Sequence, residues 1–143
     1  MNGSKVCFVD SNVWLYALLK GQDETKHLTA RLLLQQNEPI ISVQIVNEVC
    51  ANLIRKAQFS EEEIEQLIES FYRNYQVIGL SRAILLRASE LRSKHSFSFW
   101  DSLMISSALH SGAPILYSED MQDGLVIESR LRIINPFAVE RAE

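Results

Sequence analysis

The sequence predicts an α/β protein: a three-layer α/β/α sandwich in which helices cover both faces of a central, about five-stranded parallel sheet. Three observations carry that prediction. Short apolar runs recur along the chain, segments of helical period alternate with them, and no Pro/Gly-rich linker, repeat or low-complexity tract intervenes. With 143 residues, 47% of them hydrophobic, one domain spanning 1–143 has enough apolar surface to build its own core.

The elements follow in order. Val6-Cys7-Phe8-Val9 is an apolar run of strand length, and Asn12–Leu19 continues it with a helical pattern. Glu24–Gln36 reads as a second helix, Ile40–Ser42 as a second strand, and Val43–Ala57 as a third helix. Ser60 followed by Glu63 is a capping-box signature, so a helix is expected over Glu61–Arg73. Gln76–Ile78 is the third strand, and helices are expected at Arg82–Lys94 and Phe99–Ser111. Gly112 and Pro114 stop the latter. Ile115–Tyr117 and Leu131–Ile134 complete the strands.

Composition narrows the function. A net charge of −4 argues against a protein that coats nucleic acid through a basic field, so any RNA activity must come from a local site. A divalent ion can supply the positive charge that such a site needs. Val13–Leu19 and Ile40–Val46 are too short or too polar to cross a bilayer, and Met1–Lys5 lacks a leader pattern, so a soluble, cytoplasmic protein is expected. Cys7 and Cys50 sit in apolar patterns and read as core residues. His27, His95 and His110 are scattered without zinc-ligand spacing and read as surface or ordinary helix residues.

Ligands of open parallel sheets bind beyond the carboxyl ends of the strands. Asp10 follows the first strand directly, and Asp120 follows Ile115-Leu116-Tyr117 after the turn Ser118-Glu119. Two distant strands therefore each send an aspartate to one edge of the sheet. Helix capping is the alternative reading of either alone. Asp101 falls within the apolar stripe marked by Trp100, Met104, Ile105 and Ala108, where an uncompensated charge is costly. Its alternative is a second capping box over Ser98-Phe99-Trp100-Asp101. Glu48 lies opposite its helix's apolar face with Gln44 and Arg55, where a solvated glutamate needs no function. Together these carboxylates suit a hard cation such as Mg²⁺, which prefers oxygen ligands. No phosphate-binding glycine loop or nucleophilic triad pattern is present.

The same residues resemble the PIN-domain nucleases across nearly the whole chain. Phe8-Val9-Asp10-Ser11-Asn12-Val13-Trp14 resembles the family's first acidic motif, Val46-Asn47-Glu48-Val49 its second, Phe99-Trp100-Asp101-Ser102-Leu103-Met104-Ile105 its third, and Leu116-Tyr117-Ser118-Glu119-Asp120-Met121 its fourth. Among bacterial members the similarity is to VapC-type toxins of toxin–antitoxin systems, including the ending Ile134-Asn135-Pro136-Phe137. The resemblance implies a five-stranded parallel sheet and an acidic centre of Asp10, Glu48, Asp101 and Asp120, supported by Asn12 and Ser118. It also implies homodimers and a cognate antitoxin. In place of an aspartate followed shortly by an aromatic, the fourth motif runs Asp120-Met121-Gln122-Asp123-Gly124, which raises the question whether Asp123 shares that role. An ordinary Asp-Gly turn is the favoured reading of Asp123.

The expected chemistry is RNA phosphodiester hydrolysis with Mg²⁺ or Mn²⁺, in which Asp10, Asp101 and Asp120 hold metal and Glu48 positions or deprotonates water. Two rivals remain: a Mg²⁺-binding phosphoacceptor signalling domain, disfavoured because no lysine lies near the last strand, and a catalytically inactive PIN-fold binding module. Arg55 and Lys56 are possible phosphate contacts, as are Arg82, Arg87, Arg92 and Lys94. Those last four spread around their helix and read as solvated surface. Trp14 and Trp100 are possible base-stacking groups, with core packing the preferred reading of each.

Overall fold

In the computed structural model, which describes residues 5–21 and 23–138, short strands alternate with longer helices. Of the Met1–Lys5 start, all but Lys5 lies outside the described residues. In chain order the elements are β1 (Val6–Val9), α1 (Ser11–Leu18), α2 (Glu24–Gln36), β2 (Glu38–Ser42), α3 (Val43–Ala57) and α4 (Glu61–Asn74). They continue with β3 (Gln76–Ile78), α5 (Arg82–Lys94), α6 (Phe99–Ser111), β4 (Ile115–Tyr117), β5 (Val126–Ile127) and β6 (Leu131–Ile134).

Local chemistry starts each helix. Asp10, Asp23, Ser42, Ser60, Ser81 and Ser98 are the N-caps, each accepting a backbone N–H from the first turn. The predicted capping box forms in full: Glu63 N–H donates to Ser60 Oγ at 3.1 Å, and Ser60 N–H to Glu63 Oε1 at 2.9 Å. Gly112 ends α6 with φ of 80°, a left-handed conformation that glycine adopts without steric cost.

The sheet runs β3-β2-β1-β4-β6-β5. All neighbours pair in parallel except β5 and β6, which are antiparallel. From β1 the chain winds outward through β2 to β3, then returns to place β4 on the other side of β1. The order therefore reverses between β1 and β4, which makes the carboxyl ends of those two strands the expected ligand position. Helices flank this sheet, with α5 packed on α6 and α1 packed on both α2 and α3. Phe8, Val9, Ile41, Ile45, Leu53, Ile105, Leu116 and Ile133 form the centre of the core. Trp14 joins it: its Nε1–H donates to the Val9 carbonyl at 3.1 Å, and its ring meets Phe71 and Tyr75 edge-on.

The sheet departs from the expected all-parallel, five-stranded form by one antiparallel edge strand, β5. Its two residues are too few to show alternation. The turn into β6 places Glu128 and Ser129 at φ of 54° and 55°, closed by Arg130 N–H on the Ile127 carbonyl at 3.1 Å. That conformation is the hairpin turn normally signalled by Asn-Gly or Asp-Gly, and Glu-Ser carries no such signal. Smaller differences concern ends. β2 begins at Glu38, whose N–H reaches the Lys5 carbonyl at 2.9 Å; α1 begins at Ser11, and α4 runs to Asn74.

Candidate functional site

The switch point is built by backbone pairing before any side chain contributes. Val9 and Tyr117 are register partners, and Asp10 N–H donates to the Tyr117 carbonyl at 2.9 Å. The residues that leave the two strands are therefore held side by side. Asp10 is only 8% exposed. Its Oδ1 accepts Ser11 N–H at 2.6 Å, and its Oδ2 accepts the Ser118 hydroxyl at 2.8 Å. Burial pushes the Asp10 carboxyl up to about 6; the Ser118 and Ser11 hydrogen bonds hold the rise back, and the charges of Glu48 and Asp120 add to it. Asp10 therefore caps α1 while the charges of Glu48 and Asp120 reach it.

Asp120 is exposed and tied to the same point through Asn12, whose Nδ2 donates to Asp120 Oδ2 at 3.0 Å. The other end of Asn12 meets the loop backbone, with Glu119 N–H to Oδ1 at 3.5 Å. Sequence patterns did not single out the buttress behind this loop. Glu119 accepts from Tyr16 Oη at 3.1 Å and pairs with Lys26, whose ammonium lies over the rings of Tyr16 and Phe137. Glu119 raises the pKa of that ammonium, and Tyr16 adds to the shift. Nothing in a single sequence links α2 to this loop.

Glu48 is half-buried. Gln44, read as its exposed neighbour, is buried: its Nε2 donates to Glu48 Oε2 at 3.2 Å and to the Trp100 carbonyl at 3.4 Å, joining α3 to the first turn of α6. Of the predicted polar trio only Arg55 is exposed.

Asp101 is half-buried on the wall of a separate cavity of about 530 Å³ that also touches His95, Ser98, Met121 and Gln122. The reciprocal capping box is not formed. Asp101 N–H donates to Ser98 Oγ at 3.1 Å, but the Asp101 carboxylate makes no hydrogen bond among the described residues. Its expected apolar setting holds for Met104, Ile105 and Ala108, which are buried, and fails for Trp100, which is 61% exposed. The core reading of Trp100 is therefore corrected, while that of Trp14 stands. Asp101 is also not among the charges that reach Asp10.

Other expectations resolve simply. Asp123 accepts Asn135 N–H at 2.8 Å and precedes Gly124 at φ of 88°, so it is the turn residue that holds the end of β6. Cys7 and Cys50 are buried and unpaired, and burial pushes Cys7 up to about 12. His27 is buried, with Nδ1 2.9 Å from the Tyr16 carbonyl. Arg92 is not free surface charge: it donates to Ser102 Oγ at 2.7 Å and stacks on Phe99, while Arg87 pairs with Glu128. No helix among the described residues is long and apolar enough to cross a membrane.

As a donor set, Asp10, Asp120 and Glu48 offer only hard oxygen atoms. Among the described residues no three Asp, Glu, His or Cys side chains converge closely enough to enclose an ion. Mg²⁺ does not require that, because it keeps several waters and is held through one or two carboxylates. The buried Asp10 and the exposed Asp120 on the other side of Asn12 meet that requirement, so the residues fit such an ion.

The arrangement defines a class: doubly wound α/β domains that gather carboxylates at the switch point. The chain belongs to the PIN-domain family, whose sequence profile matches residues 7–122. No curated protein matches it at a significant level. Solved structures with a similar fold include a toxin–antitoxin complex from Klebsiella pneumoniae, with a TM-score of 0.70 and 16% identity over 93% of this chain and 99% of that one. VapC20 of Mycobacterium tuberculosis, a sarcin-ricin loop cleaving toxin, has a TM-score of 0.63 and 19% identity over 77% of this chain and 86% of that one. VapBC2 from Rickettsia felis, bound to a DNA fragment from its promoter, has a TM-score of 0.64 and 18% identity over 91% of this chain and 99% of that one.

Proposed function

We propose that this protein is a Mg²⁺- or Mn²⁺-dependent ribonuclease of the VapC toxin type. The observation that carries the reading is the buried Asp10, held by Ser118 at the switch point and facing the charges of Glu48 and Asp120. A buried carboxylate with like charges near it is costly unless a cation compensates it. Asp10 and Asp120 would hold that cation, and Asp101 is included with them on the family relationship. Once bound, the ion lowers the pKa of water and neutralises charge on the scissile phosphate.

The chain's own residues do the rest. Ser118 keeps Asp10 ionised, Asn12 fixes the Asp120 carboxylate, and Glu48, steadied by Gln44, accepts the proton of the attacking water. Attack by water leaves a 5′-phosphate and a 3′-hydroxyl. The family relationship supports a toxin's assembly state. We include a cognate antitoxin and a homodimer in the proposal on that basis. In the test, purified protein is incubated with labelled RNA and Mg²⁺ or Mn²⁺, beside a chelated control. Metal-dependent cleavage with 5′-phosphate ends is expected; cyclic phosphate ends exclude the water mechanism, and an inert, metal-blind protein leaves the binding-module reading.

A further inference from the structure

We infer that the cavity between α3 and the start of α6 holds an unpaired nucleobase of the RNA beside the cleavage site, stacked on Trp100. The cavity measures about 470 Å³ and is lined by Val43, Gln44, Asn47, Glu48, Leu80 and Trp100. That volume lies in the range of small-ligand pockets, ~300–1,000 Å³. The inference rests on the ribonuclease reading and assigns that site a substrate contact.

Trp100 is the largest side chain of the lining, and 61% of it is exposed. An indole left in water ordinarily forgoes the burial that makes tryptophan favourable, so its exposure beside a cavity points to a ligand. The residue is also fixed in place. Its carbonyl accepts from the buried Gln44, and its ring meets Phe99 edge-on at 5.2 Å, while Phe99 is itself covered by the Arg92 guanidinium at 4.3 Å. A rigid aromatic face loses little freedom on stacking with a base, and every base has a face to stack. Leu80, 40% exposed, adds a second apolar wall.

The polar lining suits a base edge. Asn47 is exposed, and its side-chain amide has no hydrogen-bond partner among the described residues, so one donor pair and one acceptor are available. Gln44 Oε1 is buried in the same wall without a donor. Glu48 belongs both to this lining and to the carboxylates whose charge reaches Asp10. A base held here therefore has its phosphate at the edge of the acidic centre, whereas base-paired RNA cannot present a free face.

The test compares wild type with Trp100→Ala and Trp100→Phe on two six-nucleotide ribo-oligomers, oligoadenylate and its abasic analogue, with Mn²⁺. Wild type should cleave oligoadenylate with the higher kcat/KM, by roughly 5- to 100-fold, the scale of one base–aromatic stack. Trp100→Ala should erase most of that ratio by lowering kcat/KM on oligoadenylate alone, and Trp100→Phe should restore part of it. Melting curves confirm that each variant is folded. An unchanged ratio in a folded, RNA-cleaving Trp100→Ala protein overturns the inference and leaves the ribonuclease reading intact. Conversion of a dimer to a monomer with both oligomers slowed equally overturns it in favour of a second copy of the chain. A wild type that cleaves neither these oligomers nor longer RNA overturns both.

Discussion

Ser118 Oγ donates to Asp10 Oδ2 at 2.8 Å across 108 residues of sequence, joining the ends of β4 and β1 at the switch point. Ser118 is fully buried and Asp10 nearly so, and this bond favours the charged form of Asp10. The hydroxyl lowers a carboxyl pKa that burial raises. Ser118→Ala should therefore cost about 1–3 kcal/mol of stability at pH 7, the range for leaving a buried polar group unsatisfied. The cost should shrink once Asp10 is protonated. Denaturant titrations of both proteins at pH 7 and pH 4 check this.

Asp10 sets a second pH effect, opposite to that of a salt-bridged carboxylate. Burial raises its carboxyl to about 6 in the folded protein, above the ordinary aspartate value of 3.8, so between those values the folded state binds more protons than the unfolded one. Stability of the metal-free protein should fall as pH rises through that window, by on the order of 3 kcal/mol in all. Chelated thermal melts across pH 3.5–7 measure the slope. Asp10→Asn should flatten it; a slope unchanged by that substitution would assign the effect to another group.

Asn12 acts on Asp120 and on the Glu119 backbone together. Asn12→Ala should release the Asp120 carboxylate and lower metal affinity or cleavage by about 10- to 100-fold, as loss of groups that orient metal ligands does. Stability should change little, because the Asn12–Asp120 bond is exposed and exposed substitutions stay within about 0.5 kcal/mol. Titration of Mn²⁺ against cleavage rate separates weakened metal binding from a slower chemical step. A normal metal requirement would mean that Asp120 does not depend on Asn12.

Much of this was legible in the sequence, for physical reasons that differ by residue. Helices α2, α3, α5 and α6 were readable to the residue because serine or aspartate caps begin them and their apolar periods are long. Asp10 and Asp120 were readable because strand ends at a switch point follow from β/α alternation. Gln44 is buried on the face that the pattern leaves polar, because helical periodicity locates one buried face and α3 has a second contact, with α6. The Lys26–Glu119 pair and the hairpin at Glu128-Ser129 leave no local signature at all.

Asp101 separates cap from ligand most sharply, because the two roles fall on different residues. Ser98 supplies the side-chain cap of α6 through its Oγ, so Ser98→Ala should cost about 0.5–2 kcal/mol. The Asp101 carboxylate, without a hydrogen-bond partner, should contribute almost nothing to the fold: Asp101→Asn is expected to melt within a degree or two of wild type in chelator. Its effect should appear in catalysis alone. If the carboxylate orders metal-bound water beside Asp10 and Asp120, Asp101→Asn should abolish cleavage while Ser98→Ala retains it in proportion to the folded fraction. Melts and RNA cleavage on both variants decide the matter. A folded Asp101→Asn protein that still cuts RNA with Mn²⁺ would confine the acidic centre to Asp10 and the two carboxylates whose charges reach it, Glu48 and Asp120.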